Sequence, residues 1–489
     1  FCAWGLTIFP NDDMDFYREK TNPNNPKQIW NRDHWEALKT RKEIIQVKGS
    51  DDVEVEIESS RHGPIINPVN DLLDSLEHQP VSLFWTYLKF PSKALQTAYG
   101  MAHSENMAAF RQAVAQLEAP GLNITYADRE GNIAWWTVAR LLERPEHVEP
   151  KLLLDGASGL DDPLGWYPFE SNPKSENPPD GFVYSANNQP DSALGVLHPG
   201  YYYPGLRGQR IIELLSQKSD WDLDSFKHMI FDDKSPEYPK YGQKIIALLE
   251  EDLNSAERQV SEILKSWGGE HGFKQVGPTI YYKLVNNILR NTFEDELGKE
   301  NFAVFITTQV TRRSFPNLLD NESSIWWDNV RTEGVENRKM VVNTSFKETV
   351  QQLSESLGPD ISQWYWEKVH LLEHVHAIGR QKPFDKLFNV GPFPVTGGDE
   401  VINKMDFDGD VFPYRVKSGA AMRIVIDMGD MENSISINPT GQSGHLMSGH
   451  YQDQAKMYNL GQFRPQHMDR KKILEEAKGV LRLQPSNPE

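Results

Sequence analysis

Residues 122–138, LNITYADREGNIAWWTV, carry the clearest fold signal in this chain of 489 residues. Strand-forming residues at 124–127 and again at 133–136 flank Asp128-Arg129-Glu130-Gly131-Asn132, whose residues are typical of a turn. This order predicts an antiparallel β-hairpin that runs from Leu122 to Val138.

Other strands are predicted on both sides of this hairpin, with a long helical region between them. Residues 53–58 alternate apolar and charged side chains, and short apolar runs return at 422–428 and 434–437. Residues 207 to about 385 are mostly helical in pattern. Strands followed by helices and then strands predict one α+β unit whose sheets are completed by both ends of the chain.

Composition excludes several classes of protein. Hydrophobic residues make up 38% of the chain and aromatic residues 11%, which indicates a folded globular protein. The net charge of −19 repels phosphate backbones and argues against a nucleic-acid partner. No run of about 18 apolar residues occurs, so no membrane span is predicted. Cys2 is the only cysteine, which excludes an internal disulfide and a cysteine-rich zinc site.

A loop-rich segment between Pro163 and Pro190 is the first candidate for a functional site. It contains many prolines and ends in Ser185-Ala186-Asn187-Asn188. Long loops inside globular chains often carry binding or catalytic residues. Judged by residue type alone, Asn187 is more typical of a structural turn than of a catalytic group.

A set of short motifs resembles the β subunit of the penicillin acylase family, whose members are N-terminal-nucleophile (Ntn) hydrolases. Each motif is weak by itself, but their common order extends from residue 3 to about residue 460. The motifs are Ala3-Trp4-Gly5-Leu6-Thr7, Asn11-Asp12-Asp13-Met14-Asp15, Arg61-His62-Gly63-Pro64, Pro168-Phe169-Glu170, Ser185-Ala186-Asn187-Asn188, Arg207-Gly208-Gln209-Arg210-Ile211, Gly397-Gly398-Asp399, Gly441-Gln442-Ser443-Gly444 and His450-Tyr451-Gln452-Asp453-Gln454.

The resemblance implies an α+β fold, the αββα sandwich of two antiparallel sheets. Residues 1–489 would form one catalytic domain with a mainly helical insertion at about 211–385. The family makes a precursor that cuts itself into an α and a β subunit, and the first residue of the β subunit is a serine. Family spacing places this serine several tens of residues before Phe1, so the nucleophile is expected outside this chain.

The implied activity is hydrolysis of a linear acyl amide, of the penicillin type or the N-acyl homoserine lactone type. The serine hydroxyl attacks the carbonyl, and its own α-amine, which titrates near neutral pH, accepts the proton. No organic cofactor is needed, the α subunit is the expected partner, and the expected location is the periplasm or outside the cell.

The resemblance assigns three residues to catalysis. The side-chain amide of Asn187 and the backbone N–H of Ile8 correspond to the oxyanion hole, which stabilises the charge that develops on the carbonyl oxygen. Arg210 corresponds to an arginine beside the nucleophile, with Arg207 as the alternative if the alignment shifts.

The resemblance also assigns an acyl-binding pocket, to which Ala98, Tyr99 and Leu122 contribute. Where this chain has Ala98, relatives can carry a tryptophan. A small residue at this position would leave room for a larger, aliphatic acyl group.

A structural calcium ion is the one metal that the resemblance implies. Its ligands correspond to the carboxylates of Asp12 and Asp15 and the carbonyl oxygens of Met14 and Pro150, donors that suit a hard cation. The family supplies a further aspartate near residue 198, where this chain has His198. The loss of that carboxylate weakens the expectation of a bound ion.

Three alternatives remain open. Residues 370–374, HLLEH, match the H-x-x-E-H pattern of zinc peptidases, whose two histidines share one face of a helix. Cys2 would become a terminal nucleophile if Phe1 were removed, although a buried inert cysteine is more common. An inactive homologue that acts as a binding protein is the third alternative.

Overall fold

The computed structural model describes residues 2–70, 73 and 78–484. By its contacts the chain divides into two compact units, Phe1–Tyr203 and Pro204–Glu489.

The described residues of the first unit contain mainly short strands and two α-helices. Its strands are β1 Cys2–Ile8, β2 Met14–Arg18, β3 Thr21–Asn22, β4 Asn25–Asn31, β5 His34–Ala37, β6 Lys39–Ile45, β7 Val53–Ser59, β8 Val81–Trp85, β9 Leu122–Asp128, β10 Ile133–Val138, β11 Leu142–Glu143, β12 Leu154–Asp155, β13 Gly165–Trp166 and β14 Lys174–Glu176. Its helices are α1 Ala94–Ala102 and α2 Met107–Val114.

The main sheet of this unit is antiparallel, with the strand order β1-β9-β10-β14. The predicted hairpin is confirmed as β9 and β10, in which Ile124 pairs with Trp136. Alternate residues of the two strands point to one face, where Ile124, Tyr126 and Trp136 are buried against Phe110 of α2. The Asn106 side chain caps α2 by accepting a hydrogen bond from the Ala109 N–H. This core fixes the position of β1, the edge strand of the sheet within the described residues.

The second unit is mainly helical up to residue 369 and then forms short strands. Its helices are α3 Leu206–Leu215, α4 Leu223–Ile230, α5 Tyr238–Ile246, α6 Ser255–Ser266, α7 Gly277–Phe305, α8 Gln309–Asp320, α9 Arg338–Leu357, α10 Trp366–Val369, α11 Asp385–Phe388, α12 Ala455–Asn459 and α13 Arg470–Glu476. Its strands are β15 His370–His374, β16 Val390–Pro394, β17 Met405–Phe407, β18 Tyr414–Gly419, β19 Arg423–Val425, β20 Ile435–Ile437 and β21 Arg464–Pro465.

A large apolar cluster holds the second unit together. The longest helix, α7, contributes buried residues from Ile280 to Phe293 and packs against α9. The helix bends at Gly298, whose φ of +74° interrupts the helical backbone. The predicted strands at 422–428 and 434–437 are present as β19 and β20. Among the described residues, no helix is long and apolar enough to cross a membrane.

A buried ionic network stabilises the first unit. The His62 ring lies between two carboxylates: its Nδ1 is 2.8 Å from Glu19 Oε1, and its Nε2 is 3.0 Å from Asp162 Oδ1. Glu19 is fully buried, and the Ser82 hydroxyl donates to the same Oε1. The Tyr17 ring stacks on His62 at 3.8 Å. His62 is therefore a hydrogen-bonded structural residue.

We expect Asp162 to make the stability of this unit depend on pH. Burial opposes ionisation of Asp162, but hydrogen bonds from His62 and Arg32 and the charge of Arg61 outweigh burial and lower its pKa to about 2. Because this value lies below the unfolded pKa of ~3.9, ionised Asp162 stabilises the fold above about pH 4. The contribution, roughly 2 kcal/mol, disappears as the pH falls towards 2.

Urea unfolding of wild type and Asp162→Asn between pH 7 and pH 3 measures this contribution. The difference in the free energy of unfolding should be largest at neutral pH and should shrink below about pH 4. A difference that stays constant over this range would show that Asp162 ionisation does not stabilise the fold.

Candidate active site

Two segments that lie far apart in sequence meet at the end of β1. Nδ2 of Asn187 donates a hydrogen bond of 2.8 Å to the Ile8 carbonyl oxygen, across a separation of 179 residues. Nearby, the hydroxyl groups of Thr7 and Ser185 lie 2.7 Å apart. The Tyr203 N–H donates to the Asn187 carbonyl oxygen at 3.0 Å. The structure thus brings together the two residues predicted to form the oxyanion hole.

Asn187 has a backbone conformation that few residues tolerate. Its φ is +61°, in the left-handed region, where asparagine is one of the few non-glycine residues commonly found. The hydrogen bond to Ile8 fixes the plane of its amide group. A side-chain amide held in this way is preorganised, because little reorganisation is needed when charge develops beside it.

The backbone N–H of Ile8 points to the open edge of the sheet. In an antiparallel pair, hydrogen-bonded residues alternate with residues whose backbone groups face away from the partner strand. The Phe9 N–H points towards β9, because it donates at 3.0 Å to the carbonyl oxygen of Gly121, the residue before that strand. Ile8, one residue earlier, therefore directs its N–H away from β9.

The same strand end presents an apolar surface. Trp4, Leu6 and Ile8 lie on one face of β1 and are 40%, 53% and 67% exposed. Leu122, a predicted acyl-pocket residue, is the cross-strand partner of Ile8 and packs against the core beneath the sheet. Ile8, whose carbonyl oxygen accepts the Asn187 hydrogen bond, is therefore part of an exposed apolar strand face.

The other two predicted pocket residues, Ala98 and Tyr99, lie on the exposed side of α1. Tyr99 is 67% exposed and stacks on His103 at 3.9 Å. Thr97 and Met101 form the buried side of the same helix. Leu95 continues the exposed apolar side. These side chains are exposed and available to a ligand.

Arg210 is part of α3 in the second unit. Its guanidinium binds both carboxylate oxygens of Asp232, at 3.0 and 2.6 Å, and also pairs with Glu213 at 2.9 Å. The hydrogen bond that Arg210 donates to Asp232 raises the pKa of Arg210 further above its usual value. Arg207, the alternative, is buried, and its Nε lies 3.7 Å from Glu400. The predicted role of Arg210 beside the nucleophile stays a prediction.

The predicted calcium ligands surround an arginine that the sequence did not single out. Arg144 contacts both carboxylate oxygens of Asp15, with Nε at 3.2 and 3.0 Å and Nη2 at 2.9 Å. The same Nη2 lies 3.4 Å from the Asp12 carbonyl oxygen and 3.6 Å from Asp12 Oδ1. All three side chains are at least nine-tenths buried. Met14 begins β2, and Pro150 follows in the turn after Arg144.

These residues do not fit a calcium ion in this arrangement. Calcium requires six to eight oxygens at about 2.3–2.6 Å, whereas the guanidinium already occupies both oxygens of Asp15. An ion bound to that carboxylate would lie about 4 Å from the guanidinium, where repulsion reaches roughly 8 kcal/mol at an effective dielectric constant of 20. Among the described residues, no group of three or more His, Cys, Asp or Glu side chains could hold a metal.

His198 is a second feature that does not favour a cation. His198 stands where the resemblance places a further aspartate, and burial lowers its pKa. Its ring is almost completely buried and packs edge-on against Tyr167. A neutral imidazole at this position supplies no negative charge for a cation.

The predicted helical zinc motif at 370–374 is wrong, because these residues form strand β15. His370 is buried, and its two ring nitrogens lie 3.1 and 3.0 Å from the carbonyl oxygens of Val395 and Met405. Glu373 pairs with Arg415 at 3.1 Å. Successive residues of a strand point to opposite faces, so the motif does not gather its three side chains around one ion.

Cys2 shows no sign of activation. It lies in β1, packs against the core of the main sheet and is half-buried. Burial raises its pKa, which lowers the fraction of reactive thiolate at neutral pH. This environment is typical of an inert cysteine.

Known proteins similar to this chain include bacterial acylases. It is 24% identical to the acyl-homoserine lactone acylase QuiP of Pseudomonas aeruginosa, over 96% of this chain and 60% of that protein. It is also 24% identical to the penicillin acylase 2 proenzyme of Pseudomonas sp. strain SE83, over 86% of this chain and 53% of that protein. The chain therefore spans only about 60% or less of the length of these relatives.

The structure resembles that of a thermostable penicillin G acylase from Alcaligenes faecalis. The TM-score is 0.70 at 20% identity, with 99% of this chain and 89% of that chain covered. This likeness confirms the predicted α+β fold class. The family model described as penicillin amidase matches residues 1–475. The chain belongs to the penicillin amidase family.

Proposed function

We propose that this chain is the larger part of an amide hydrolase that removes an acyl group from an amine through an acyl-enzyme. The observation that carries the proposal is the contact between Nδ2 of Asn187 and the Ile8 carbonyl oxygen. It holds an amide donor next to a backbone N–H that faces the open edge of β1. Two such donors could bind the oxygen of a tetrahedral intermediate.

The nucleophile of the proposed reaction is the N-terminal serine of a processed β subunit, encoded upstream of Phe1. Its hydroxyl oxygen bonds to the amide carbon, and its proton passes to the serine's own α-amine. The amine product leaves with a proton, and water then releases the acyl group as a carboxylic acid. Asn187 and Ile8 donate hydrogen bonds to the oxyanion in both steps, and Arg210 is proposed to orient the site.

The proposed partner is an α subunit cut from the same precursor, and the proposed location is the periplasm or outside the cell. The edge strand β1 supports the partnership, because Leu6 and Ile8 are more than half exposed. An edge strand with an apolar face is otherwise a site of unwanted association. Coverage by another segment of the whole protein would bury it.

The proposed substrate is a linear acyl amide with an apolar acyl chain, such as an N-acyl homoserine lactone. Leu6 and Ile8 are exposed apolar side chains, Leu122 is the cross-strand partner of Ile8, and the Ile8 carbonyl oxygen accepts the Asn187 hydrogen bond. Exposed apolar side chains of this kind can line a pocket for an aliphatic chain. The relatives named acyl-homoserine lactone acylase support this choice.

The substrate proposal is tested with the processed full-length protein. Release of amine from dodecanoyl and phenylacetyl derivatives of the same amine would be compared, and we expect the dodecanoyl amide to have the higher kcat/KM. Ala98→Trp should lower kcat/KM for the long chain by roughly 10-fold or more, because the indole fills the proposed acyl space. Ala102→Trp, at the exposed end of the same helix, is the matched control. A strong preference for phenylacetyl amides would contradict the proposal.

A further inference from the structure

We propose that the guanidinium of Arg144 takes the place of the calcium ion, so that the protein has a built-in cation and needs no metal at this position. Arg144 joins Asp15 in β2 to Asp12 in the segment that follows β1. A planar guanidinium matches the two oxygens of a carboxylate, so one side chain can link both segments. It also stays charged at any pH at which the protein is folded.

Arg144 and its two carboxylate partners are enclosed by the protein. The side chains of Arg144, Asp12 and Asp15 are only 8%, 2% and 0% exposed. Two guanidinium nitrogens contact Asp15, and Nη2 also reaches towards the Asp12 carbonyl oxygen. An ion pair on the surface contributes little to the stability of a fold. Loss of one partner from a buried pair is costly, because the remaining charge is left uncompensated.

The position of Arg144 links it to the oxyanion residues. Asp12 lies four residues after Ile8, and its N–H donates to the Pro199 carbonyl oxygen at 3.0 Å. The Tyr201 N–H donates to the Pro10 carbonyl oxygen at 2.8 Å. The segment that Arg144 holds through Asp12 therefore begins directly after Ile8. The same segment is hydrogen bonded to residues 199–201, which lead to Tyr203 and the loop of Asn187. Arg144 is a positioning residue for both donors, a role that rests on the proposed function.

The first test uses the wild-type full-length protein and needs no substrate. Isothermal titration with calcium chloride should show no binding, and the melting temperature should be the same in EDTA and in millimolar calcium. Calcium binding at this site, detected as a melting temperature that rises with calcium and falls with EDTA, would overturn the proposal. Because no activity is measured, this outcome is independent of whether the protein cleaves amides.

The second test removes the guanidinium. Arg144→Ala should lower the melting temperature by roughly 6–12 °C, because two buried carboxylates lose their cation. Calcium should then restore part of the loss, since the carboxylates become available to an ion. The double variant Asp15→Asn, Arg144→Ala should no longer respond to calcium.

Arg41→Ala is the control, because Arg41 pairs with Glu43 at 3.1 Å and both side chains are exposed. It should melt close to wild type. An Arg144→Ala protein that melts like this control, or that gains no stability from calcium, would contradict the proposal.

If Arg144→Ala does not fold, Arg144→Lys gives the same comparison, because lysine keeps the charge but loses the bidentate contact with Asp15. In the processed enzyme, Arg144→Lys should lower kcat more than it raises KM.

Discussion

Replacement of Asn187 by alanine in the full precursor should lower kcat by ~10²–10³-fold, equivalent to about 3–4 kcal/mol of transition-state stabilisation. KM should change much less, because the oxyanion exists only after the carbonyl has been attacked. The protein should still fold, since Asn187 is only half-buried and lies in a loop outside the strands and helices. Steady-state kinetics and melting temperature would be measured together.

Two further variants separate the loss of the donor from backbone strain. Alanine at a φ of +61° adds strain of roughly 1–2 kcal/mol, whereas glycine adopts this conformation readily. Asn187→Gly should therefore lose as much activity as Asn187→Ala while it retains more stability. Asn188→Ala is the control, because the Asn188 side chain makes its hydrogen bonds within its own loop, to the Gln189 carbonyl oxygen and to Tyr184. If Asn188→Ala loses as much activity as Asn187→Ala, the donor role of Asn187 is refuted.

Replacement of His62 by alanine should have the largest effect on stability. It removes the group that bridges Glu19 and Asp162 and leaves the fully buried Glu19 carboxylate without its main partner. Breaking a buried ionic pair in this way costs about 3–5 kcal/mol. The stacking of Tyr17 on the ring is lost as well. Thermal and urea unfolding would measure the change.

His147→Ala provides the matched control for this prediction. His147 also contacts a carboxylate, Asp161 at 3.0 Å, but its side chain is 60% exposed. Exposed pairs contribute about 0–1 kcal/mol, so this variant should unfold close to wild type. Equal effects of the two substitutions would mean that burial of the network is not what stabilises the first unit.

Local sequence patterns predicted the strands and helices of this fold better than they predicted the site. The hairpin from Leu122 to Val138 could be predicted because alternation and turn residues act over a few positions. The strand at 370–374 could not be predicted in this way, because the H-x-x-E-H pattern is compatible with a helix or a strand. Pairing of His374 with Val390 and of His370 with Tyr414 decides the outcome, and both partners lie far along the chain.

The site depends on contacts between distant residues, which no local pattern reports. Asn187 and Ile8 are 179 residues apart, so only the family resemblance could place them together. The resemblance also predicted calcium at Asp12 and Asp15 but gave no sign of Arg144, 129 residues after Asp15. An arginine before a proline has no pattern that marks it as the partner of buried carboxylates.

A crystal structure of the processed full-length protein with a long-chain alkyl boronic acid would test the central claim most directly. The boronate forms a tetrahedral adduct with the nucleophilic serine and so imitates the intermediate of acyl transfer. We predict that one adduct oxygen lies about 2.7–3.1 Å from both Nδ2 of Asn187 and the backbone nitrogen of Ile8. An adduct whose oxygens are bound by other donors, with Asn187 and Ile8 turned away, would contradict the proposed oxyanion hole.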